Sequence, residues 1–333
     1  MSQFQQALTI FFSLLVEALP FLTIGVILSS ALLIFSDEKQ LIRLLPRHPI
    51  GGALVGSFIG FLFPVCECGN VPVARRFLLQ GLPTSVAIGF LLAAPTINPI
   101  VIWSTWVAFR DQPEIVGFRV LFSLLIAVLL SWVFSFQKDA TPLLNPQLAK
   151  QLARFQAPPP GTETAETSPL LQSGTFLLGQ PGQPLRLEAS LMEKTRVLAP
   201  NRWQLFLENV SQELRELGGI LVFGSAIAAI IQTFVPREII LSLGQETITS
   251  ILAMMALAAI VSVCSTVDSF FALSFASTFT SSSLLAFLVF GPMIDLKAIG
   301  LMLSIFRAKI ILYLLVLAAQ LTFILALIHS YFF

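Results

Sequence analysis

Three cysteines stand within apolar parts of the sequence, and two of them, Cys66 and Cys68, are separated by a single residue. Thiol ligands select soft metal and metalloid ions, and Cys264, much later in the chain, offers a third sulfur. On a regular helix the side chains of a Cys-x-Cys pair point to different faces, so joint binding of one ion requires an extended or kinked backbone. The alternative is that all three are small buried hydrophobic side chains, since free cysteine is common in protein interiors.

Carboxyl and amide side chains inside apolar segments form a second set of candidates. An ionisable group at the centre of a membrane helix costs roughly 2.5 to 3.5 kcal/mol on insertion scales, so it is a functional candidate by default. Asp268 is the clearest, because the chain has no other charged residue between Glu246 and Asp295. Together with the cysteines, these residues predict a substrate or translocation site made of Cys66, Glu67, Cys68, Asn70, Asn98, Cys264, Ser265, Asp268 and Asp295.

Three of the carboxyl groups are candidates for proton coupling: Asp268, Glu17 and Glu216. For Asp268 the alternative is a structural role at a helix break or cap. For the two glutamates, which lie near the start of the first helix of each half, the alternative is anchoring at the membrane interface. Asn98 and Asp295 closely follow prolines, where their side chains would cap exposed backbone amides.

Neither a catalytic group nor a cofactor is predicted. The two histidines, His48 and His329, lie near loop or chain ends, and no His-Glu-x-x-His or Gly-x-x-x-x-Gly-Lys-Ser/Thr motif occurs. A net charge of +1 provides no basic surface for nucleic acid. The expected partners are the lipid bilayer and a small solute or ion, with an accessory subunit and a homo-oligomer left open.

Composition predicts the elements that must position these side chains. Apolar residues make up 56% of the chain, charged residues 11%, and the mean hydropathy is +0.87, which indicates an all-α polytopic membrane protein, expected in a bacterial inner membrane. Ten apolar segments follow one another, five in each half, and several are short enough to be broken or re-entrant. They span 9–35, 50–65, 71–94, 96–109, 115–136, 217–235, 248–267, 270–290, 293–306 and 310–328.

An internal repeat organises the chain. Aligning Cys66 with Cys264 also pairs Asn70 with Asp268 and, to within one residue, Glu17 with Glu216, Pro95 with Pro292 and Asn98 with Asp295. We therefore expect a first membrane repeat over 1–136, a largely disordered cytoplasmic linker over 137–200, and a second repeat over 201–333. Five residues are expected to break helices: Pro64, Gly69, Pro72, Pro95 and Pro292.

An odd number of crossings in each repeat would invert the second repeat relative to the first. Positive charges favour cytoplasmic loops, which with an external N-terminus places the loop of Lys39, Arg43 and Arg47 and the loop of Arg307 and Lys309 inside. The loops 110–119 and 237–246 are then external. Arg75 and Arg76 have no counterparts in the second half and are expected to snorkel to an interface.

A family resemblance rests on these motifs. Residues 64–72, the turn at 81–83, the stretch 90–98, and the second-half segments 263–268 and 287–295 resemble the predicted permease family of YraQ-like membrane proteins. That family includes the ArsP exporters of trivalent methylated arsenicals, whose corresponding motif looks like Cys-x-Cys-Ser. Cys66 and Cys68 match this motif, whereas Glu67, Gly69 and Asn70 depart from it.

The resemblance implies a permease, and its Cys-Glu-Cys-Gly branch often works with a separate soluble or membrane-anchored partner. The hypothesis is therefore a secondary transporter that exports a small solute, with a soft metal or metalloid species as one option. The alternative is a channel or membrane subunit that acts only with another protein.

Overall fold

The computed structural model describes residues 3–35, 49–63, 66–136, 142–146, 148–150, 152, 202–234, 246–276 and 278–332. Almost all of these residues are helical and none of them forms a strand, which confirms the predicted all-α class. The helices of the first half are α1 Gln3–Phe35, α2 Pro49–Leu62, α3 Glu67–Leu79, α4 Thr84–Ile97, α5 Pro99–Ala108 and α6 Pro113–Ser135. Those of the second half are α7 Arg202–Phe234, α8 Thr247–Val261, α9 Asp268–Leu273, α10 Ser281–Met293, α11 Leu296–Met302 and α12 Ala308–Phe332.

Six helical stretches in the described residues are long and apolar enough to cross a membrane. A helix satisfies its own backbone hydrogen bonds, which lipid cannot do for it. Two of the six, Thr84–Ala108 and Ser281–Met302, are interrupted helices that combine α4 with α5 and α10 with α11. The other four are Phe4–Ala31, Pro113–Ser135, Phe206–Thr233 and Ala308–Phe332.

The segment predicted over 71–94 is two helices rather than one. Leu79 ends α3, and a turn centred on Gly81 reverses the chain before α4 begins at Thr84. Gly81 has a φ of +78°, a left-handed conformation that glycine adopts at low cost. Span length alone merged the two helices because the turn residues are few and uncharged.

The predicted helix breakers do not break the helices. Gly69 and Pro72 lie within α3, Pro95 lies near the end of α4, and Pro292 lies near the end of α10, so that this prediction was wrong. Pro64 is outside the described residues. The interruption in the first half falls instead at Asn98, whose extended backbone has a ψ of 155°.

The residue after Asn98 explains where the break falls. Pro99 is the first residue of α5, and a proline disfavours helical backbone in the residue before it. Pro95 lacks the N–H that would otherwise bind the carbonyl of Leu91. The helix tolerates this proline because another group binds that carbonyl. Asn70 Nδ2 donates to Leu91 O at 2.8 Å, which joins α3 to α4.

Most helix contacts between the halves form a set that is unchanged when the two halves are exchanged. Helix α1 packs on α7, α4 on α10 and α6 on α12, while α3 packs on α11 and α5 on α9. A twofold relation between duplicated halves requires this pattern. The pattern agrees with the repeat, and the inversion of one half relative to the other stays a prediction.

The first part of the predicted linker is ordered. Leu143, Leu144 and Leu148 are buried, and the chain pairs with the connection between α11 and α12. Asn145 N donates to Ile305 O at 2.8 Å, and Arg307 N donates to Leu143 O at 3.0 Å. Buried leucines and backbone hydrogen bonds therefore hold a segment that was expected to be disordered, while the linker from 153 to 200 lies outside the described residues.

A close helix contact yields a test of this packing. A Cβ atom at Gly25 of α1 would lie 2.2 Å from the carbonyl oxygen of Gly69 in α3, whereas at Gly117 of α6 it would meet nothing within 4 Å. We expect Gly25→Ala to lower the free energy of unfolding by about 1 to 3 kcal/mol, as overpacking does. Thermal unfolding of the purified protein in detergent measures the change. Gly117→Ala, the control, should unfold at or above the wild-type temperature, and equal behaviour of the two variants would contradict the contact.

Candidate functional site

The two cysteine segments meet inside the protein. Cys66 precedes the first residue of α3, and Cys264 lies four residues before the start of α9. The carbonyl of each accepts a hydrogen bond from the N–H four residues later, Asn70 N at 3.1 Å and Asp268 N at 3.0 Å. Both cysteines are buried, and their side chains are near enough to interact with each other. The structure therefore brings together the equivalent positions of the two halves.

A three-sulfur metal site is not formed in this conformation. Cys68 lies inside α3, and its side chain also interacts with Cys66. Within the ranges that the structure describes, no three His, Cys, Asp or Glu side chains are arranged to hold a metal ion. The arrangement can therefore supply two neighbouring thiols, Cys66 and Cys264, and its use for a metal or metalloid stays a prediction.

A buried ammonium group lies beside this thiol pair. Lys297, in the first turn of α11, is 2% exposed, and its Nζ is 3.9 Å from Glu67 Oε1 at the start of α3. Glu67 is itself 3% exposed, and Asp295 and Glu17 also act electrostatically on the lysine. Lys297 is not among the predicted site residues, although a single basic residue two positions after Asp295 in an apolar segment was the signal for it.

A second ion pair, Arg119 with Asp268, also joins the halves. Arg119 Nη2 lies 2.6 Å from Asp268 Oδ2, and Nη1 lies 3.2 Å from Oδ1. Arg119 Nη1 also donates to the hydroxyls of Thr105 and Ser269, at 2.7 and 2.9 Å. Both carboxylate oxygens of Asp268 are thus bound by one guanidinium group, an arrangement stronger and more directional than a single contact.

The position of Arg119 contradicts the predicted external loop over 110–119. Helix α6 already begins at Pro113, so that Arg119 lies within the helix, where it is 1% exposed. The error arose because charges near a helix start look like a loop. Only the partner, which comes from the other half of the chain, explains why a buried arginine is stable there.

Asn98 and Asp295 both cap helices. Asn98 Oδ1 accepts from Val101 N at 2.9 Å, and its Nδ2 donates to Ala94 O at 2.9 Å, so that one side chain serves α5 and α4. Asp295 Oδ1 accepts from Ala298 N at 2.6 Å at the start of α11. The capping interpretation therefore describes their geometry, and a direct role in transport stays a prediction.

The prediction that Arg75 and Arg76 snorkel to an interface was wrong. They are 5% and 4% exposed, and they pair with Glu216 and Glu213 of α7, each at 3.2 Å. Arg75, the partner of Glu216, lies eight residues after Glu67 in α3. At a rise of 1.5 Å per residue, the two positions are about 12 Å apart along the helix. The prediction came from treating the two arginines alone, whereas the paired glutamates stand in α7, in the other half.

Several buried oxygens of the site have no hydrogen-bond partner among the described residues. They are Glu17 Oε1, Glu67 Oε2, Asn70 Oδ1 and Ser265 Oγ. An unpaired buried polar group costs about 1 to 3 kcal/mol, and such groups in native proteins call for an explanation. Three of the four are acceptors only, so that they can bind a hydrogen-bond donor or a cation.

The buried ion pair yields a stability prediction. Arg119→Met or Asp268→Leu alone leaves one buried charge uncompensated, and we expect each to lower the free energy of unfolding by about 3 to 5 kcal/mol. The double variant should recover most of this loss, because it removes both charges. Thermal unfolding in detergent measures the three variants, with the exposed Asp111→Asn as the control. A double variant less stable than both single variants would contradict the pairing.

Comparisons with known proteins agree over nearly the whole chain. The family described as "Predicted permease" (ArsP_1) matches residues 3–331. "UPF0718 protein YcgR" of Bacillus subtilis (strain 168) is 35% identical over 314 residues, which are 94% of this chain and 93% of that protein. The "Putative two-component membrane permease complex subunit" of Streptococcus mutans serotype c is 34% identical over 307 residues, 92% of this chain and 89% of that protein. No solved structure matches. The resemblance inferred from the sequence motifs is therefore confirmed, and the chain belongs to the ArsP_1 family of predicted permeases, integral membrane proteins with several apolar helices.

Proposed function

We propose that this protein is a secondary transporter that exports a small solute, a soft metal or metalloid species, through the junction of its two halves. The observation that carries the proposal is the closeness of Cys66 and Cys264, two buried cysteines from equivalent positions of the two halves. Thiol sulfurs bind soft ions in preference to hard ones. Irregular backbone around them is stable at membrane depth only where it is buried or lines a cavity.

Two ion pairs at this junction can rearrange. Glu67 with Lys297 and Asp268 with Arg119 each join one half to the other. In transporters built from two repeats, one repeat moves against the other around a site between them. Ion pairs that span the halves would then break or exchange partners as the site changes the side to which it opens.

The orientation we propose has the linker and the connection between α11 and α12 in the cytoplasm of a bacterial cell, with the membrane being the inner one. Positive charges at Arg307 and Lys309 support the assignment of that connection. The contact of residues 142–146 with that connection supports the same side for the start of the linker. With an odd number of crossings in each half, the second repeat would be inverted relative to the first.

Among the proton-coupling candidates, Glu17 is the best supported. Asp268 has both oxygens bound to Arg119, and Glu216 is paired with Arg75. Glu17 has one buried oxygen without a partner and acts electrostatically on Cys264 and Lys297. A change of charge at Glu17 would therefore be felt at both the thiol pair and the ammonium group.

A sensitivity assay tests the cargo. Expression in a bacterial strain without metal and arsenic exporters should raise the tolerated concentration of at least one of arsenite, methylated arsenite, zinc, copper and nickel. Cys66→Ser and Cys264→Ser should each abolish that tolerance, since a hydroxyl is a poor ligand for soft ions. Growth curves over a concentration series measure the effect.

The first control for this assay is the amount of protein in the membrane, measured with a tag on every variant. The second is Ser274→Ala, a substitution at an exposed serine away from the thiol pair, which should leave the tolerance at the wild-type level. If no compound changes in toxicity, or if both cysteine variants protect fully, the soft-ion proposal is wrong.

A second candidate function is a membrane subunit that acts only with a partner protein. It is favoured by the printed name of the relative from Streptococcus mutans, which describes a complex subunit. Purification from its native membrane in mild detergent should then recover a second protein in a constant ratio. Transport by the chain alone in liposomes would reject this candidate.

A further inference from the structure

Lys297 occupies a helix position that disfavours a cation. It lies in the first turn of α11, where unbonded N–H groups already carry partial positive charge. Its ammonium group is 3.9 Å from Glu67 Oε1, longer than the roughly 2.8 Å of a direct charge-assisted hydrogen bond. The lysine is therefore buried against the preference of its helix and is bound only loosely by its nearest carboxylate.

The surroundings of Lys297 contain more acceptors than its one charge satisfies. Glu67, Asp295 and Glu17 are three carboxyl groups acting on a single ammonium group. The guanidinium group of Arg119 is already bound to Asp268.

Unpaired atoms provide a second, independent observation. Glu67 Oε2 has no hydrogen-bond partner among the described residues, although the side chain is more than nine-tenths buried. Asn70 Oδ1 lacks one as well, and this residue lies one turn along α3 from Glu67 and is 1% exposed. All three atoms with a free lone pair here, including Glu17 Oε1, accept hydrogen bonds and donate none. Two of the three belong to carboxyl groups, which can bind a cation as well as a hydrogen-bond donor.

We propose that a monovalent cation binds between Glu67, Asn70 and Glu17 by displacing the ammonium group of Lys297. The exchange replaces one positive charge by another, so that the charge of the buried site is unchanged. Lys297 is the internal counter-ion that occupies the carboxylates when the cation is absent. The inference rests on the proposed transporter and supplies its coupling ion, separate from the cargo at the thiols.

The donor set favours a hard monovalent ion over a transition metal. Carboxylate and amide oxygens suit hard cations, whereas the soft sulfurs lie on the neighbouring thiol pair. No group of three ionisable ligands that could hold a metal ion occurs in the described part of the chain. Two sources share this chemistry, an alkali metal ion and a protonated small amine.

Thermal unfolding of the purified full chain in detergent tests the site. Chlorides of sodium, lithium, potassium and methylammonium are compared with choline chloride at constant ionic strength. We expect a saturable rise in unfolding temperature with at least one of the four cations, because a ligand that binds only the folded protein stabilises it. Sodium without methylammonium would identify an alkali ion, and methylammonium alone would identify an amine.

Variants decide the role of Lys297. Lys297→Met removes the competitor and should lower the half-saturating cation concentration by at least about fivefold. Glu67→Gln should abolish the stabilisation, while Lys297→Arg should keep the competition if Lys297→Met fails to fold. The exposed Lys309→Met and Glu114→Gln are the matched controls and should behave as the wild type.

Two outcomes overturn the inference: no saturable stabilisation of the wild type by any of the cations, or a half-saturating concentration in the folded lysine variant that is unchanged or higher. Cysteine-dependent transport in choline medium, driven by a pH gradient, would keep the transporter and reject the cation. Stabilisation by a cation without transport or tolerance for any cargo would keep the cation site and reject the proposed transporter.

Discussion

The structure depends on one constraint, which is that backbone groups at an interrupted helix must find hydrogen-bond partners that lipid cannot supply. Side chains near the interruptions provide them. Asn70 binds the carbonyl that Pro95 leaves free, and Asn98 serves two helix ends at once. Asp295 caps α11, next to the hydroxyl of Ser262, which accepts from Leu296 N at 3.2 Å. Polar residues are thus required where the helices break. The breaks therefore collect polar side chains in one part of the protein.

The charged residues extend this logic from the backbone to the association of the halves. Arg119 and Lys297 are each buried in one half, and their carboxylate partners, Asp268 and Glu67, stand in the other. The two pairs differ in strength. Arg119 is bound through two nitrogens at short distances, whereas the Lys297 ammonium is 3.9 Å from its nearest carboxylate oxygen, so that the Lys297 pair costs less to break than the Arg119 pair.

Much of the membrane class and part of the site could be predicted from the sequence. The lengths of the apolar segments predicted the helices. The matching positions of Cys66 and Cys264 in the internal repeat predicted two residues that lie close together. Lys297 and Arg119 were missed because one charge barely changes the mean hydropathy of a segment, and because their partners are distant in sequence. The position of the break at Asn98 was missed because the decisive residue is Pro99, whose effect acts on the residue before it.

The short helix α11 is fixed at both ends. Asp295 and Ser262 hold its beginning, and the connection that follows it is paired with residues 143–145. A helix held in this way has little freedom to move on its own. In the proposed exchange the lysine would change partner by rotating its own flexible side chain, a local motion much faster than the microsecond-to-millisecond motion of whole domains. Exchange at the carboxylates and the proposed movement of the two halves would therefore be separable in time.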